Sequence, residues 1–456
     1  MMQESTLKVL RREAVALRNT HDVDAISDMI GNARVVLLGE ATHGTHEFYQ
    51  VRAEITKRLI SEQGFSAVAV EADWPDAMSV NDYLHGKSQF PGSESRAAEQ
   101  ALGEFRRFPQ WMWRNADMLE LVRWLRRSNA DLPAAEKAGF FGIDLYSLHR
   151  SMDAVLRYLE QVDPLAARQA KTRYACFDQF GEDPQQYGYG VRFAMRPDCE
   201  KEVVAQLAAM VSGSARAGDS AWAALSADDN IPEDEAFYAE QNARVVQNAE
   251  SYYRTMFLGR DESWNVRDTH MADTVDALAE FLGKRRGGEA KLVVWAHNSH
   301  IGDARATEMG KHRQINLGQL MRERHGNEAF LLGFTTHCGT VTAASDWDSP
   351  AEVKQVRPSL DFSYERLFHD VGKERFLLPI RGNEALAQHL RQGRLERAIG
   401  VIYLPERERY SHYFYADMSR QFDAVVHIDL TRAVKPLDRF ADRVGEDLPE
   451  TYPSGI

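Results

Sequence analysis

Short apolar runs recur along the chain, each ending in polar or charged residues. They are RVVLLGE at 34–40, FSAVAVEAD at 65–73, AGFFGID at 138–144, KLVVWAHN at 291–298, AFLLGFTT at 329–336, RAIGVIYL at 397–404 and FDAVVHID at 422–429. Their apolar residues are continuous rather than alternating, the pattern of strands covered by helices on both faces. Between them the period lengthens to that of a helix, as in HEFYQVRAEITKRLISEQG at 46–64 and NADMLELVRWLRRSN at 115–129. The pattern predicts an α/β fold with a largely parallel sheet flanked by helices.

From about residue 150 to 290 the strand signal vanishes, and SMDAVLRYLEQV and AEQNARVVQNAESYYRTMFL carry a helical period instead. The expected organisation is a first part of the α/β core at 1–150, an inserted helical lobe at 151–290 and a second part of the core at 291–456. FGEDPQQYGYG at 180–190 reads as a loop from its Gly and Pro content.

In an open parallel sheet, ligands bind outside the carboxyl ends of the strands. Here those ends carry Glu40 and His43, Glu71 and Asp73, Asp144, and His297 and His300. The stretch GEATHGTHEF at 39–48 adds His46 and Glu47, a density of costly side chains that points to a cleft.

Composition narrows the ligand. The chain has 456 residues and a net charge of -13, with 55 Lys plus Arg against 68 Asp plus Glu. That balance opposes phosphate backbones and argues against a nucleic-acid partner. Cys176, Cys199 and Cys338 are odd in number and far apart, so neither a disulfide nor a thiolate metal site is expected, and a reducing compartment fits. The N-terminus lacks a signal-peptide core, and no apolar run is long enough to span a membrane. A soluble, cytoplasmic protein is expected, with no membrane partner.

Two chemistries suit the histidines and carboxylates. In one, a histidine oriented by a carboxylate deprotonates water while a cation stabilises the oxyanion, for which Arg52 is a candidate. In the other, Glu40, His43, His297 and His300 hold a zinc ion with an open position for water. No G-x-S-x-G elbow and no glycine-rich phosphate loop is present, which disfavours a serine hydrolase and a nucleotide enzyme. Trp111 and Trp113 suit either a substrate wall or the core, and His337 and His427 read as structural.

The motifs GEATHGTHEFYQVRAEITKRLI at 39–60, VEADWPD at 70–76, GIDLYSL at 142–148, NVRDTHMADTV at 265–275 and WAHNSHIGDA at 295–304 together resemble the erythromycin esterase family. The resemblance extends from about residue 20 to 435. It implies a carboxylic ester hydrolase that opens a macrolide lactone or a related ester, an antibiotic-resistance activity, by direct attack of activated water. It further implies that no cofactor or metal is used, that His43 is the general base, and that Glu40, Arg52, Glu71 and His297 accompany it. With the residue reading, His43 takes the proton, Glu71 or Glu40 fixes its tautomer, Arg52 and His297 meet the oxyanion, and His46, His300 and Trp113 shape the substrate pocket. The expected partner is a small-molecule ester or lactone. The open alternatives are a metal-dependent hydrolase on the same cluster and a small-molecule binding protein without turnover.

Overall fold

The computed structural model describes residues 2–88, 90–181, 183–217, 233–257 and 259–438. Its strands are β1 (Val15–Ala16), β2 (Val35–Leu38), β3 (Ala67–Asp73), β4 (Gly139–Asp144), β5 (Leu292–Trp295), β6 (Ala329–Ala343), β7 (Glu352–Val356), β8 (Arg375–Pro379), β9 (Arg394–Arg397), β10 (Tyr413–Ala416) and β11 (Ala424–Thr431). Among the described residues, one sheet runs in the order β1-β8-β11-β6-β2-β5-β3-β4, with β7 added to β6. β2 lies parallel to both β5 and β6, β3 is parallel to β5, and β11 is parallel to β6. In the same sheet β1 with β8, β8 with β11, and β7 with β6 pair antiparallel. The fold is α/β, a mostly parallel sheet flanked by helices. Every residue of β2, β3, β4 and β5 is buried, which is why their sequences run apolar without alternation.

The chain divides into two compact units. The first comprises residues 1–71, 79–141 and 282–456, and the second residues 72–78 and 142–281. The second unit is built of helices after the end of β4, including Leu148–Val162, Pro164–Tyr174, Glu200–Ala217 and Glu233–Met256. Their apolar faces meet in one core through Val155, Tyr174, Phe180, Tyr187, Val246 and Tyr253. Strand-end residues Asp73 and Asp144 belong to this unit, and Asp144 is clasped by both Nε and Nη2 of Arg267 at 2.9 and 2.6 Å.

Three expectations are corrected. The run at 397–404 is not a strand of the main sheet: β9 ends at Arg397 and forms a separate two-stranded sheet with β10. Its apolar character reflects packing, because Ile399 and Tyr403 are fully buried against Val341 and Val356. The presumed loop at 180–190 contains the helix Pro184–Arg192, for which Asp183 caps the Gln185 N–H and Pro184 fills the first turn. Turn-forming residues there mark a helix start. Lastly, Cys176 and Cys199 are joined in a disulfide, so the cysteine-based argument for a reducing compartment lapses; Cys338 is free. Among the described residues, no helix is long and apolar enough to cross a membrane.

Candidate active site

β2 ends at Leu38, and the chain passes through Gly39–Thr45 into the helix His46–Gln63. Two glycines let that loop sit where it does. A side chain on Gly39 would strike the Asn298 amide, and one on Gly44 would strike the Thr342 backbone. The loop is pinned from the other side by the 397–404 segment, with Ile399 N–H donating to the Ala41 carbonyl (2.8 Å) and His43 N–H to the Ile399 carbonyl (3.3 Å).

Within this frame Glu40 and His43 face each other, Nδ1 to Oε1 at 2.9 Å, with both side chains buried. The other oxygen of Glu40 accepts from Arg52 Nη2 at 2.5 Å. A carboxylate engaged by a guanidinium only accepts, so the His43 Nδ1 carries the proton and Nε2 presents a lone pair. Nε2 meets no protein partner among the described residues.

Arg52 is fully buried, its guanidinium 4.6 Å from the centre of the Tyr49 ring and 4.5 Å from that of Trp295, two rings that meet edge to face beside it. It lies behind Glu40, where it donates to that carboxylate and fixes its position.

From β5 comes the second imidazole. His297 caps the short helix Asn298–Ile301: its Nδ1 accepts from the Ser299 N–H (3.2 Å) and lies 2.9 Å from the Ser299 hydroxyl. A backbone N–H can only donate, so Nδ1 is the lone-pair nitrogen and the ring proton sits on Nε2. Burial holds the His297 pKa well below the ordinary range, and the neighbouring His43 pushes it the same way, keeping the ring neutral. Its Nε2 is buried and has no hydrogen-bond partner among the described residues, the Ala41 backbone exerting only a minor pull on the ring, and its ring centre lies 4.9 Å from that of His43.

Glu71, the last residue of the first unit on β3, accepts from the His297 backbone N–H at 2.9 Å and lies 3.4 Å from His300 Nε2. Glu40 is therefore the partner of the His43 ring, and Glu71 holds the backbone of the opposite segment. Asn298 pins that segment to β6, exchanging hydrogen bonds with the backbone of Phe334 at 2.8 and 3.2 Å.

The structure thus brings together Glu40, His43, Arg52, Glu71, His297 and His300. It does not bring His46 or Trp113 into this cluster. His46 Nδ1 pairs with Asp117 at 2.8 Å, which raises its pKa, and Trp113 is buried beside Phe105. Ser299, Asn298 and Asp117 were missed from sequence. Ser299 was within reach, since it stands between the two histidines of WAHNSH and is the nearest hydroxyl to either. Among the described residues, no three or more His, Cys, Asp or Glu side chains are arranged to hold a metal ion.

The erythromycin esterase family model matches residues 60–431. The chain belongs to the erythromycin esterase family. The matched span includes Glu71, His297 and His300 and begins after the Glu40–Arg52 segment. Relatives by sequence include YbfO of Bacillus subtilis (strain 168), which carries a hydrolase designation and is 21% identical over 90% of this chain and 86% of its own. Erythromycin esterase type II of Escherichia coli is 24% identical over 71% of this chain and 74% of its own. Among solved structures, a succinoglycan biosynthesis protein superposes with a TM-score of 0.73 at 21% identity over 95% of this chain and 98% of its own. An erythromycin esterase mutant in its open conformation gives 0.63 at 17% over 94% and 100%. These structures share the fold; membership of the erythromycin esterase family makes the chain a hydrolase.

Proposed function

We propose that the protein is a carboxylic ester hydrolase that opens a macrolide lactone or a related small-molecule ester with a histidine-activated water, without a bound metal. The observation that carries this is the opposite tautomers of two neighbouring imidazoles. His43 offers a lone pair at Nε2 and His297 offers a proton at Nε2, one base and one donor in the same small space.

The steps follow from those assignments. His43 Nε2 takes a proton from water as the water oxygen bonds to the ester carbonyl carbon, and Glu40 stabilises the imidazolium that forms. His297 Nε2–H donates to the carbonyl oxygen as it becomes an oxyanion. Collapse expels the alkoxide, which takes the proton back from His43, leaving a carboxylic acid and an alcohol. Arg52 secures Glu40, and Glu71 with Ser299 fixes His297. His46 and Trp113 enter only as parts of an outer substrate wall.

Mass spectrometry of erythromycin and a panel of simple lactones, after incubation with metal-stripped protein, tests this beside His43→Ala. Gain of one water by a substrate with wild type and not with the variant is expected. Turnover that returns only when metal is added back would overturn the metal-free assignment. Product formed equally by the variant would overturn the role of His43.

A further inference from the structure

Outside the His43–His297 site, the first unit contains a cavity of about 640 Å³ whose lining is dominated by arginine. Arg305, Arg322, Arg381, Arg391 and Arg420 face it against only three carboxylates, Asp303, Glu384 and Asp423. That leaves an excess of two positive charges in a chain whose net charge is -13.

Two of the carboxylates are already fully used. Asp423 accepts from Arg381 Nε (2.9 Å), Arg322 Nη2 (3.0 Å) and the Leu331 N–H (2.8 Å). Asp303 accepts from Arg305 Nε and Nη2 at 2.9 and 2.7 Å, and from Arg322 Nη1 at 3.3 Å. The remaining two arginines are underemployed. Arg391 has only a 3.4 Å contact with Glu384, and the Arg420 guanidinium meets no partner among the described residues.

An arginine whose guanidinium is not fully engaged by a carboxylate at the edge of a cavity is a ready-made anion fork, and two of them match a doubly charged group. Holding Asp303 and Asp423 accounts for Arg305, Arg322 and Arg381 but not for Arg391 or Arg420. Apolar wall is also present, in Ile380, Ala387 and Phe422. A second cavity of about 460 Å³ shares Arg305, Ala306 and Arg420 with the first and extends past Tyr415. Both volumes lie in the range that holds a small organic ligand rather than a bare ion.

We propose that the arginine-lined cavity binds a small organic anion carrying two negative charges, a phosphate monoester or a dicarboxylate, with Arg391 and Arg420 gripping its charged end. Neither residue belongs to the esterase site, so this binding stands or falls independently of the hydrolase assignment.

Isothermal titration of the full-length protein at low salt with AMP, succinate and inorganic phosphate tests it, beside the Arg391→Ala, Arg420→Ala double variant. AMP or succinate is expected to bind with a Kd below about 1 mM. Which of the two binds identifies the charged group. Affinity should fall at least about tenfold in the double variant and decline with added salt, because charge-assisted bonds are being lost or screened. Inorganic phosphate should bind more weakly than the organic ligand that is accepted. An unchanged melting temperature of the unliganded variant shows that the loss is not one of folding. No binding of any probe at about 10 mM, or wild-type affinity in the double variant, would overturn the proposal. Equal affinity for inorganic phosphate and AMP would overturn its organic part.

Discussion

Two groups of histidines occupy the same unit and meet different surroundings. His43, His297 and His300 follow β2 and β5, whereas His427 lies in β11, His337 in β6 and His369 at the end of the helix Tyr364–His369. In the second group the ring of His427 is satisfied on both edges, by Thr335 at 2.9 Å and Asp429 at 3.4 Å. His369 bonds the same Asp429 at 2.7 Å, and His337 bonds Ser359 at 2.6 Å while stacking on His369 at 3.7 Å between centres. In the first group one edge of each of His43 and His297 is spoken for by a fixed partner and the other is left open. Number of histidines and nearness to a carboxylate are the same in both; what sets the first apart is that two rings 4.9 Å between centres each leave a nitrogen without a hydrogen-bond partner among the described residues, one a lone pair and the other an N–H. A buried polar atom left unpaired costs stability, and such a complementary pair suits a substrate that supplies both missing bonds.

The contrast is broken or sharpened by substitution in each group. The largest effect belongs to His43→Ala, which should lower kcat/KM for an accepted ester by about 10³-fold or more, with a melting temperature close to wild type. Equal loss from His427→Ala would erase the distinction. Next, His297→Ala should cost about 10²- to 10³-fold in kcat, the range for removing one oxyanion donor. Ser299→Ala keeps the backbone N–H that fixes the Nδ1 tautomer and removes only the hydroxyl beside it, so it should give a smaller loss of kcat in the same assay.

Arg52→Met leaves Glu40 buried without its cation, and a stability loss of about 3–5 kcal/mol is expected from chemical denaturation. Its activity should fall mainly through the unfolded fraction and misplaced Glu40. For the second group, His427→Leu removes two buried hydrogen bonds and orphans Thr335, so stability should fall by about 1–3 kcal/mol with kcat of the folded protein unchanged. A drop in kcat larger than a few-fold there would mean that the two groups are coupled.

The smallest effect is a pH slope. Burial, with His369 alongside, holds His337 at a pKa of about 4, below the roughly 6.5 of an unfolded histidine. Between those values the unfolded chain binds the extra proton. The stability contribution is therefore complete above about pH 6.5 and is lost as the pH falls toward 4. His337→Asn should flatten that part of a melting-temperature profile. If the slope stays, it originates in the other buried rings, such as His412, also held at about 4 by burial.

How much of this was legible in the sequence follows the physics of each signal. Continuous apolar runs report burial on two faces, which located the starts of the strands of the main sheet that they marked to within two residues. The same signal misassigned 397–404, because a segment packed under β6 and β7 is equally apolar without being in the sheet. The strand-end rule, together with the motif resemblance, pointed to Glu40, His43, Glu71, His297 and His300. What it left open was which carboxylate serves which ring, since spacing carries no information on the direction of a side chain. Arg52 is the clearest case: a helical position near the cluster suggests a cation aimed at the substrate, and only its full burial against Tyr49 and Trp295, with its bond to Glu40, reveals a buried anchor. The Cys176–Cys199 bond escaped for a similar reason, because its two residues are brought together by helices whose packing spacing does not encode.

The aromatic corner around Arg52 has a bearing on engineering. Arg52 and Tyr49 share the helix that follows His43; Trp295, edge to face with Tyr49, stands two residues before His297 and also donates its indole N–H to Thr56 of that helix at 2.9 Å. These contacts tie the base-bearing segment to the donor-bearing segment. Grafting GEATHG onto another scaffold would carry over the base but not its alignment. A transplant has to carry residues 40–63 together with β5 and the segment that follows it to His300.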